Sequence, residues 1–217
     1  NISQVLNNST TTPINVTYVV VTTANTCTNG PTGQSVTVAV HPIPALSSSL
    51  TNPSMCSGGT FAYTPASLTS GATFAWTRAA VGGITTAAPS SGTGSVVGHV
   101  LTNTTDNPLT VTYAYTTTAN GCSNAPQNVT VSVAPYPTLT SSATITAICS
   151  GSLVSYTPTS NTTGTTFSWS RAFQAGINPA GVITGTGDIN ETLENTTTAD
   201  ITVPYVYTLN ANGCTNA

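Results

Sequence analysis

Short runs in which apolar side chains alternate with hydroxyl side chains recur along the whole chain. In the clearest run, Val129-Thr-Val-Ser-Val133, the valines would face a core and the hydroxyls would face solvent. Asn120-Gly121 and Asn212-Gly213 are dipeptides that favour tight turns between antiparallel strands. No segment combines helical periodicity with caps, so the pattern predicts an all-β protein. We place strands at 128–134, 138–147, 153–156, 165–171, 182–186, 189–193 and 201–209.

Three blocks of sequence repeat with one spacing, close to 93 residues (149 − 56 = 93). The repeated blocks are 108–124 with 13–29 and 200–216, Cys56–Pro65 with Cys149–Pro158, and Phe74-Ala-Trp76-Thr-Arg78 with Phe167-Ser-Trp169-Ser-Arg171. A period of this size fits an immunoglobulin-like β-sandwich, which needs about 100 residues, and it is far longer than a solenoid repeat. The sequence therefore predicts tandem immunoglobulin-like (PKD-like) β-sandwich domains in an extended array.

Two Pro-x-Pro pairs, 42/44 and 135/137, follow the closing strands of successive repeats. Proline ends strand pairing and stiffens a linker, so we place the domain boundaries there. The first unit, 1–43, is then the C-terminal part of a truncated repeat, and the second unit, 44–136, is complete. The third unit, 137–217, lacks its final strand. Boundaries that fall inside repeats favour a window onto a longer polymer.

The chain is almost without charge, which narrows the classes of partner. Only 3% of its 217 residues are charged, against roughly 25% in an average soluble protein, and the only cations are Arg78 and Arg171. Nucleic-acid binding needs clustered Lys and Arg, and a membrane span needs about 18 apolar residues in a row. Neither is present, so we expect no nucleic-acid partner and no membrane insertion.

Cysteine falls at two phases of the repeat, before the second strand (Cys56, Cys149) and in the late hairpin (Cys27, Cys122, Cys214). Because the cysteines recur at two positions of the repeat and have no histidine partners, they favour disulfides over a zinc site. Pairing within units would join Cys56 to Cys122 and Cys149 to Cys214. In a plain immunoglobulin topology the two phases lie at opposite poles of one sandwich, and a disulfide needs Cα atoms about 4.4–6.8 Å apart. That topology favours a bridge between units, Cys56–Cys214. Both schemes stay open here, and Cys27 pairs outside the given residues.

Four motifs recur in the second and third units: Cys-Ser-Gly at 56–58 and 149–151, Phe-x-Trp-x-Arg at 74–78 and 167–171, Leu-x-Asn-Thr-Thr at 101–105 and 193–197, and the Asn-Gly-Cys hairpin at 120–122 and 212–214. On these motifs the chain resembles the PKD-like and Ig-like repeats of giant Bacteroidota surface proteins. These include adhesins that are associated with gliding motility and exported by type IX secretion. The resemblance covers essentially the whole chain and implies tens of such units in one secreted polypeptide.

The recurring aromatic strand supplies the candidate site residues. Trp76 and Trp169 could be exposed carbohydrate platforms, but their mid-strand position is that of a sandwich's core tryptophan. We therefore expect them in the core, together with Phe74 and Phe167, which stand two residues earlier on the same strands. Arg78 and Arg171 could contact a ligand. The alternative that we favour is a stem lying on the aromatic strand, with the guanidinium reaching carbonyls or a domain junction.

Acids and histidines do not recur, which argues against a repeated metal or catalytic site. Asp188, Glu191 and Glu194 cluster, but the preceding unit has no acids at the aligned positions, and Glu191 aligns with His99. Calcium needs 6–8 oxygen ligands, usually with several carboxylates. His41 and His99 have no plausible nucleophile or metal partner by spacing. We expect no cofactor, no metal and no enzymatic activity.

These observations predict a structural repeat region, a stalk or filament, of a giant secreted bacterial surface adhesin. The alternative is a carbohydrate- or surface-binding module that acts directly in adhesion, which predicts an exposed aromatic patch in every unit. The expected location is extracellular, at the cell surface. The expected partners are neighbouring repeats of the same chain, other copies in a filament, and surface polysaccharide.

Overall fold

A computed structural model describes residues 2–30 and 32–216. All regular secondary structure in these residues is β-strand, and among them there is no helix long and apolar enough to cross a membrane. The first unit forms two small ribbons, in which β1 pairs with β4 and β2 with β3. Its strands are β1 Ile14–Val20, β2 Thr23–Ala24, β3 Cys27–Thr28 and β4 Gln34–Val40.

The second unit is a two-sheet sandwich. One sheet has the order β6-β10-β8, and the other has the order β5-β13-β11-β7-β9, with β12 on the end of β11. The strands are β5 Met55–Cys56, β6 Gly59–Tyr63, β7 Thr73–Arg78, β8 Ile84–Thr85, β9 Ser91–Thr93, β10 Val96–Asn103, β11 Leu109–Ala119, β12 Cys122–Ser123 and β13 Gln127–Ala134.

Alternation along β11 and β13 builds the core between the two sheets. Every second residue of β11 from Val111 to Ala119 is buried, and so are the valines of β13. They meet residues of the facing sheet, including Phe61, whose ring stacks on Tyr113 with centroids 5.0 Å apart. The hydroxyl side chains between them point away from the core, which is the arrangement that the alternating sequence predicts.

The third unit repeats this plan with sheets β14-β18-β16 and β17-β15-β19-β20. Its strands are β14 Ser152–Tyr156, β15 Thr166–Arg171, β16 Ile177–Asn178, β17 Ile183–Thr186, β18 Ile189–Asn195, β19 Tyr205–Ala211 and β20 Cys214–Thr215. The core again joins the two sheets, with Trp169 and Ile189 buried, but Tyr205 and Tyr207 are only half-buried where Tyr113 and Tyr115 are fully buried. In the second unit β13 lies beside these tyrosines, and the described residues of the third unit contain no equivalent strand.

Two of the predicted strands are wrong for the same reason. Residues 138–147 carry no strand, and the strand predicted at 201–209 begins only at Tyr205. In the second unit the equivalent segments pair with β13, through Leu109↔Val133 and the bridge Thr51↔Thr130. A segment with strand propensity forms no ladder when it has no partner strand, since the hydrogen bonds of a sheet are made between strands.

Each core tryptophan packs against a glycine that recurs with the same period. A Cβ atom on Gly92 would lie 2.7 Å from Cζ2 of Trp76, and one on Gly185 would lie 2.5 Å from Cζ2 of Trp169. These glycines pair with their tryptophans on the adjacent strand. Glycine at these positions therefore provides the space in which the indole ring lies flat on the neighbouring strand.

The substitution Gly92→Ala tests this packing. Because the added methyl group overlaps the Trp76 ring, we expect the free energy of unfolding to fall by about 1–3 kcal/mol. Urea unfolding followed by tryptophan fluorescence measures the change, in a Trp169→Phe background so that Trp76 alone reports. Gly82→Ala is the matched control, since a Cβ atom there has no neighbour within 4 Å. An equal effect of both substitutions would contradict the proposed role of Gly92.

Candidate functional site

A disulfide joins the second unit to the third. Cys56, at the end of β5, bonds to Cys214, at the start of β20, with Sγ–Sγ 2.04 Å and Cα–Cα 5.6 Å. Of the two pairing schemes that the sequence leaves open, the structure contains the bridge between units. Cys27, Cys122 and Cys149 are free thiols in the structure, so the within-unit pairs are not formed.

The strand order explains why these two cysteines meet. Cys56 pairs with Ala134 at the last residue of β13, where the chain leaves the second unit. Cys214 follows the turn after β19, and that end of β19 lies beside Thr166 at the start of β15. A second contact lies at the same junction, since Thr163 Oγ1 donates a hydrogen bond to Asn107 Oδ1 at 3.2 Å. The C-terminal pole of one sandwich therefore faces the N-terminal pole of the next.

The hairpin that presents Cys214 is a tight turn with a specific brace. Asn212 and Gly213 both have positive φ, 53° and 80°, as the two central residues of a type I′ turn require. Two residues after the cysteine, Asn216 Oδ1 accepts a hydrogen bond from the backbone N–H of Leu209 at 2.6 Å. The same Asn brace occurs two residues after Cys122 and after Cys27. The recurring Cys-x-Asn spacing was the sequence signal for it, and sequence reasoning missed its role.

Arg171 is fully buried and crosses from one sheet of the third unit to the other. Its Nε and Nη2 donate to the two carboxylate oxygens of Glu191, at 3.1 and 2.7 Å, and Nη2 also donates to Pro179 O at 2.9 Å. The hydroxyl of Tyr205 donates to Glu191 Oε2 at 2.5 Å. Burial, and then the bond to Glu191, raise the pKa of Tyr205. The guanidinium does reach a carbonyl, as expected, but its main partner is an acid that sequence analysis considered only as a calcium ligand.

Arg78 occupies the same place in the second unit without an acid. Its Nη2 donates to Ala88 O at 3.2 Å, while its buried Nε has no partner. His99 stands where the third unit has Glu191, and its Nδ1 lies 3.0 Å from the hydroxyl of Tyr113. Burial, and then the Arg78 charge, lower the pKa of His99. Burial raises the pKa of Tyr113 to about 12. The second unit therefore has a histidine, in place of an acid, beside a buried cation.

The aromatic residues of the recurring strand lie inside the sandwiches. Trp76 and Trp169 are 4% and 9% exposed, which leaves neither indole free as a carbohydrate platform. Phe74 and Phe167 are half-buried at the margin of the core. Among the described residues no group of three or more His, Cys, Asp or Glu side chains could hold a metal ion. The structure thus brings Cys56 and Cys214 together at the junction, while Arg78 and Arg171 lie in the cores of separate units.

Comparison with protein families identifies the repeats. A family model described as a PKD-like domain matches residues 53–137 and again residues 146–217. The two matches together span more than half of the chain. A comparison with curated proteins gives no match.

Removing the acid from the buried pair tests the arrangement in the third unit. Glu191→Gln leaves Arg171 buried without a counter-charge, so we expect the free energy of unfolding to fall by about 3–5 kcal/mol. Urea unfolding in a Trp76→Phe background measures it through Trp169. The control is Glu194→Gln on the exposed face of the same strand, where we expect a change within about 0.5 kcal/mol. A Glu191→Gln protein as stable as this control would contradict the account.

His99 makes the stability of the second unit depend on pH. An unfolded histidine titrates near 6.5, and the folded pKa of His99 is lower, so below that pH the unfolded chain binds more protons. The free energy of unfolding should therefore be highest above pH 6.5 and fall as the pH drops through 6.5 towards the folded pKa. Urea unfolding between pH 5 and pH 8, reported by Trp76 in a Trp169→Phe background, measures this fall. His99→Gln should flatten the profile, and an unchanged slope in this variant would contradict the assignment.

Proposed function

The chain belongs to the PKD-like domain family, and from that membership we propose that it is a stalk or filament region of a giant secreted bacterial surface adhesin. PKD-like domains are typically extracellular, non-catalytic, adhesion-type repeat modules. A disulfide is consistent with that setting, because disulfides persist in oxidising compartments outside the cytosol. The recurring motifs further support a source among the Bacteroidota adhesins that are exported by type IX secretion and associated with gliding motility.

The observation that carries the proposal is the bridge across the junction. Cys56 and Cys214 are 158 residues apart in sequence but bonded in space. A pull on the two ends of the chain passes from Cys56 directly to Cys214, so the residues between them lie outside the path of the force. Most of the second and third units is thereby protected against extension. A module with this property suits a spacer that holds a binding element away from the cell surface.

The buried tryptophans support a spacer over direct adhesion. A glycan platform in every unit would need an exposed aromatic side chain at a recurring position. Phe173 is the most exposed aromatic residue of the described chain, at 61%, and alanine stands at the aligned position 80. Tyr136 is also exposed, but its counterpart one period earlier is Ile43. Tight binding of the full chain on a glycan array would contradict the spacer role.

Single-molecule pulling on the two ends of the chain tests the mechanical proposal. With the bridge intact, unfolding should release only the residues outside 56–214. Reduction should add up to about 520–570 Å of extension, since 158 residue spacings of about 3.3–3.6 Å become available.

Two variants control the pulling experiment. Cys214→Ser should give the long extension without a reductant, and Cys27→Ser should keep the short one, because Cys27 takes no part in the bridge. A chain that extends to the same length before and after reduction would overturn the proposed mechanical function of the bridge.

A further inference from the structure

We propose that Cys149 and Cys122 each form a disulfide between units of the same kind as Cys56–Cys214. Cys149 corresponds to Cys56, and Cys122 corresponds to Cys214. Each of these two cysteines would bond to a cysteine at the other repeat position on a neighbouring PKD-like unit. Such a neighbour is already present once in the structure, where the third unit is seated on the second. This inference rests on the proposed function as a tandem repeat region, and it concerns thiols that the bridge Cys56–Cys214 does not use.

The loop that carries Cys149 is built like the loop that carries Cys56. After each cysteine, a serine hydroxyl bonds to both the N–H and the C=O of an asparagine at the end of the neighbouring strand. For Ser57 and Asn103 the distances are 2.9 and 3.1 Å, and for Ser150 and Asn195 they are 2.9 and 3.3 Å. The serine bonds thus hold the loop of Cys149 at the C-terminal pole of the third unit, and this cysteine is exposed. Cys56 is held in addition by its pairing with Ala134 of β13.

The asparagine loop beside each of these cysteines is also the same. In the second unit Asn103 Oδ1 accepts bonds from the N–H and Oγ1 of Thr105, and Asn195 accepts the same two bonds from Thr197 at matching distances of 2.9 and 2.8 Å. In the second unit this loop contains Asn107, which contacts the third unit. The third unit thus repeats this turn at its C-terminal pole, although Ala199 stands where the second unit has Asn107.

The hairpin that carries Cys122 supplies the second of these cysteines. Asn120 and Gly121 have φ values of 51° and 76°, close to those of the turn before Cys214. Its asparagine brace, from Asn124 Oδ1 to the N–H of Thr117, is 2.7 Å long. The thiol is partly exposed at the N-terminal pole of the second unit. Cys27 is of the same phase, but its turn has Thr26 at φ 67° in place of glycine, so the hairpin of Cys122 is the closer match to the bonded one.

Bridges of this kind would overlap along the array. Cys149 lies between Cys56 and Cys214 in sequence, so a bridge from Cys149 to a following unit would enclose part of the loop that Cys56–Cys214 already closes. Neighbouring loops would then share the stretch 149–214. One cut of the backbone inside a loop would leave the two pieces joined by its disulfide.

Closing the second bridge requires an oxidant, and a small-molecule disulfide such as oxidised glutathione supplies it. The thiolate of Cys149 attacks this disulfide and releases one glutathione thiol, which leaves a mixed disulfide on the protein. The thiolate of Cys122 on a second copy then attacks the Cys149 sulfur and releases the second glutathione. The two protein thiols lose two electrons and two protons, and the glutathione disulfide gains them.

The test mixes two full-length variants that each retain the bridge Cys56–Cys214. One carries Cys27→Ser and Cys122→Ser and keeps Cys149, while the other carries Cys27→Ser and Cys149→Ser and keeps Cys122. One variant is isotope-labelled, and equal amounts are oxidised together with glutathione disulfide. Intact mass spectrometry under non-reducing conditions counts the mixed and the like dimers.

Docking of unlike poles predicts that mixed dimers exceed each like dimer by about tenfold, compared with the twofold excess of a random mixture. A random mixture, in which half of the dimers are mixed, would overturn the proposal, as would the absence of dimers. Tryptic mapping of the bridge Cys56–Cys214 in the same samples establishes that both variants are folded. Because no force is applied, the result is independent of the pulling experiment.

Discussion

The bond between Cys56 and Cys214 determines how one sandwich follows the next. A disulfide holds two Cα atoms within a few ångströms, so the pole at which β13 ends must face the pole that presents the β19–β20 hairpin. The hydrogen bond from Thr163 to Asn107 lies at the same junction and depends on that alignment. In the chain-entropy model a loop of 158 residues stabilises the folded state by about 5 kcal/mol. In a chain with few charged residues, this one bond at the junction makes a large contribution to the stability of the folded state.

Scarcity of charge also shapes the interior of each unit. Both arginines lie inside the cores, and neither is available to a ligand. Arg171 ties the two sheets of the third unit together through Glu191. The third unit neutralises its arginine with Glu191, while the second unit has His99 at that place and leaves Arg78 Nε without a partner. Repeats with the same fold therefore differ in how the core charge is balanced. Because burial lowers the pKa of His99, we expect the stability of the second unit to depend on pH through this residue.

Local pattern was sufficient to predict the fold class, because alternation and Asn-Gly turns are properties of short segments. The regular spacing of the Trp and Cys blocks then indicated tandem sandwiches, and the all-β fold is confirmed. Long-range partners were harder to predict. The strand expected at 138–147 is absent because no strand among the described residues pairs with it, and the pairing of Arg171 with Glu191 joins residues on facing sheets. Disulfide connectivity could only be narrowed to two schemes, since it depends on which poles meet. The unit boundaries at 43/44 and 136/137 stay a prediction.

Tryptic mapping of the oxidised chain tests the bridge between units most directly. The chain has no lysine, so trypsin cleaves only after Arg78 and Arg171 and yields fragments 1–78, 79–171 and 172–217. With free thiols blocked in the isolated chain, before any glutathione disulfide is added, and with no reductant, the account predicts that 1–78 is linked to 172–217 through Cys56–Cys214. Fragment 79–171 should then be released alone with two blocked cysteines. If 79–171 is instead linked to both other fragments, the cysteines pair within units and the account of the junction is wrong.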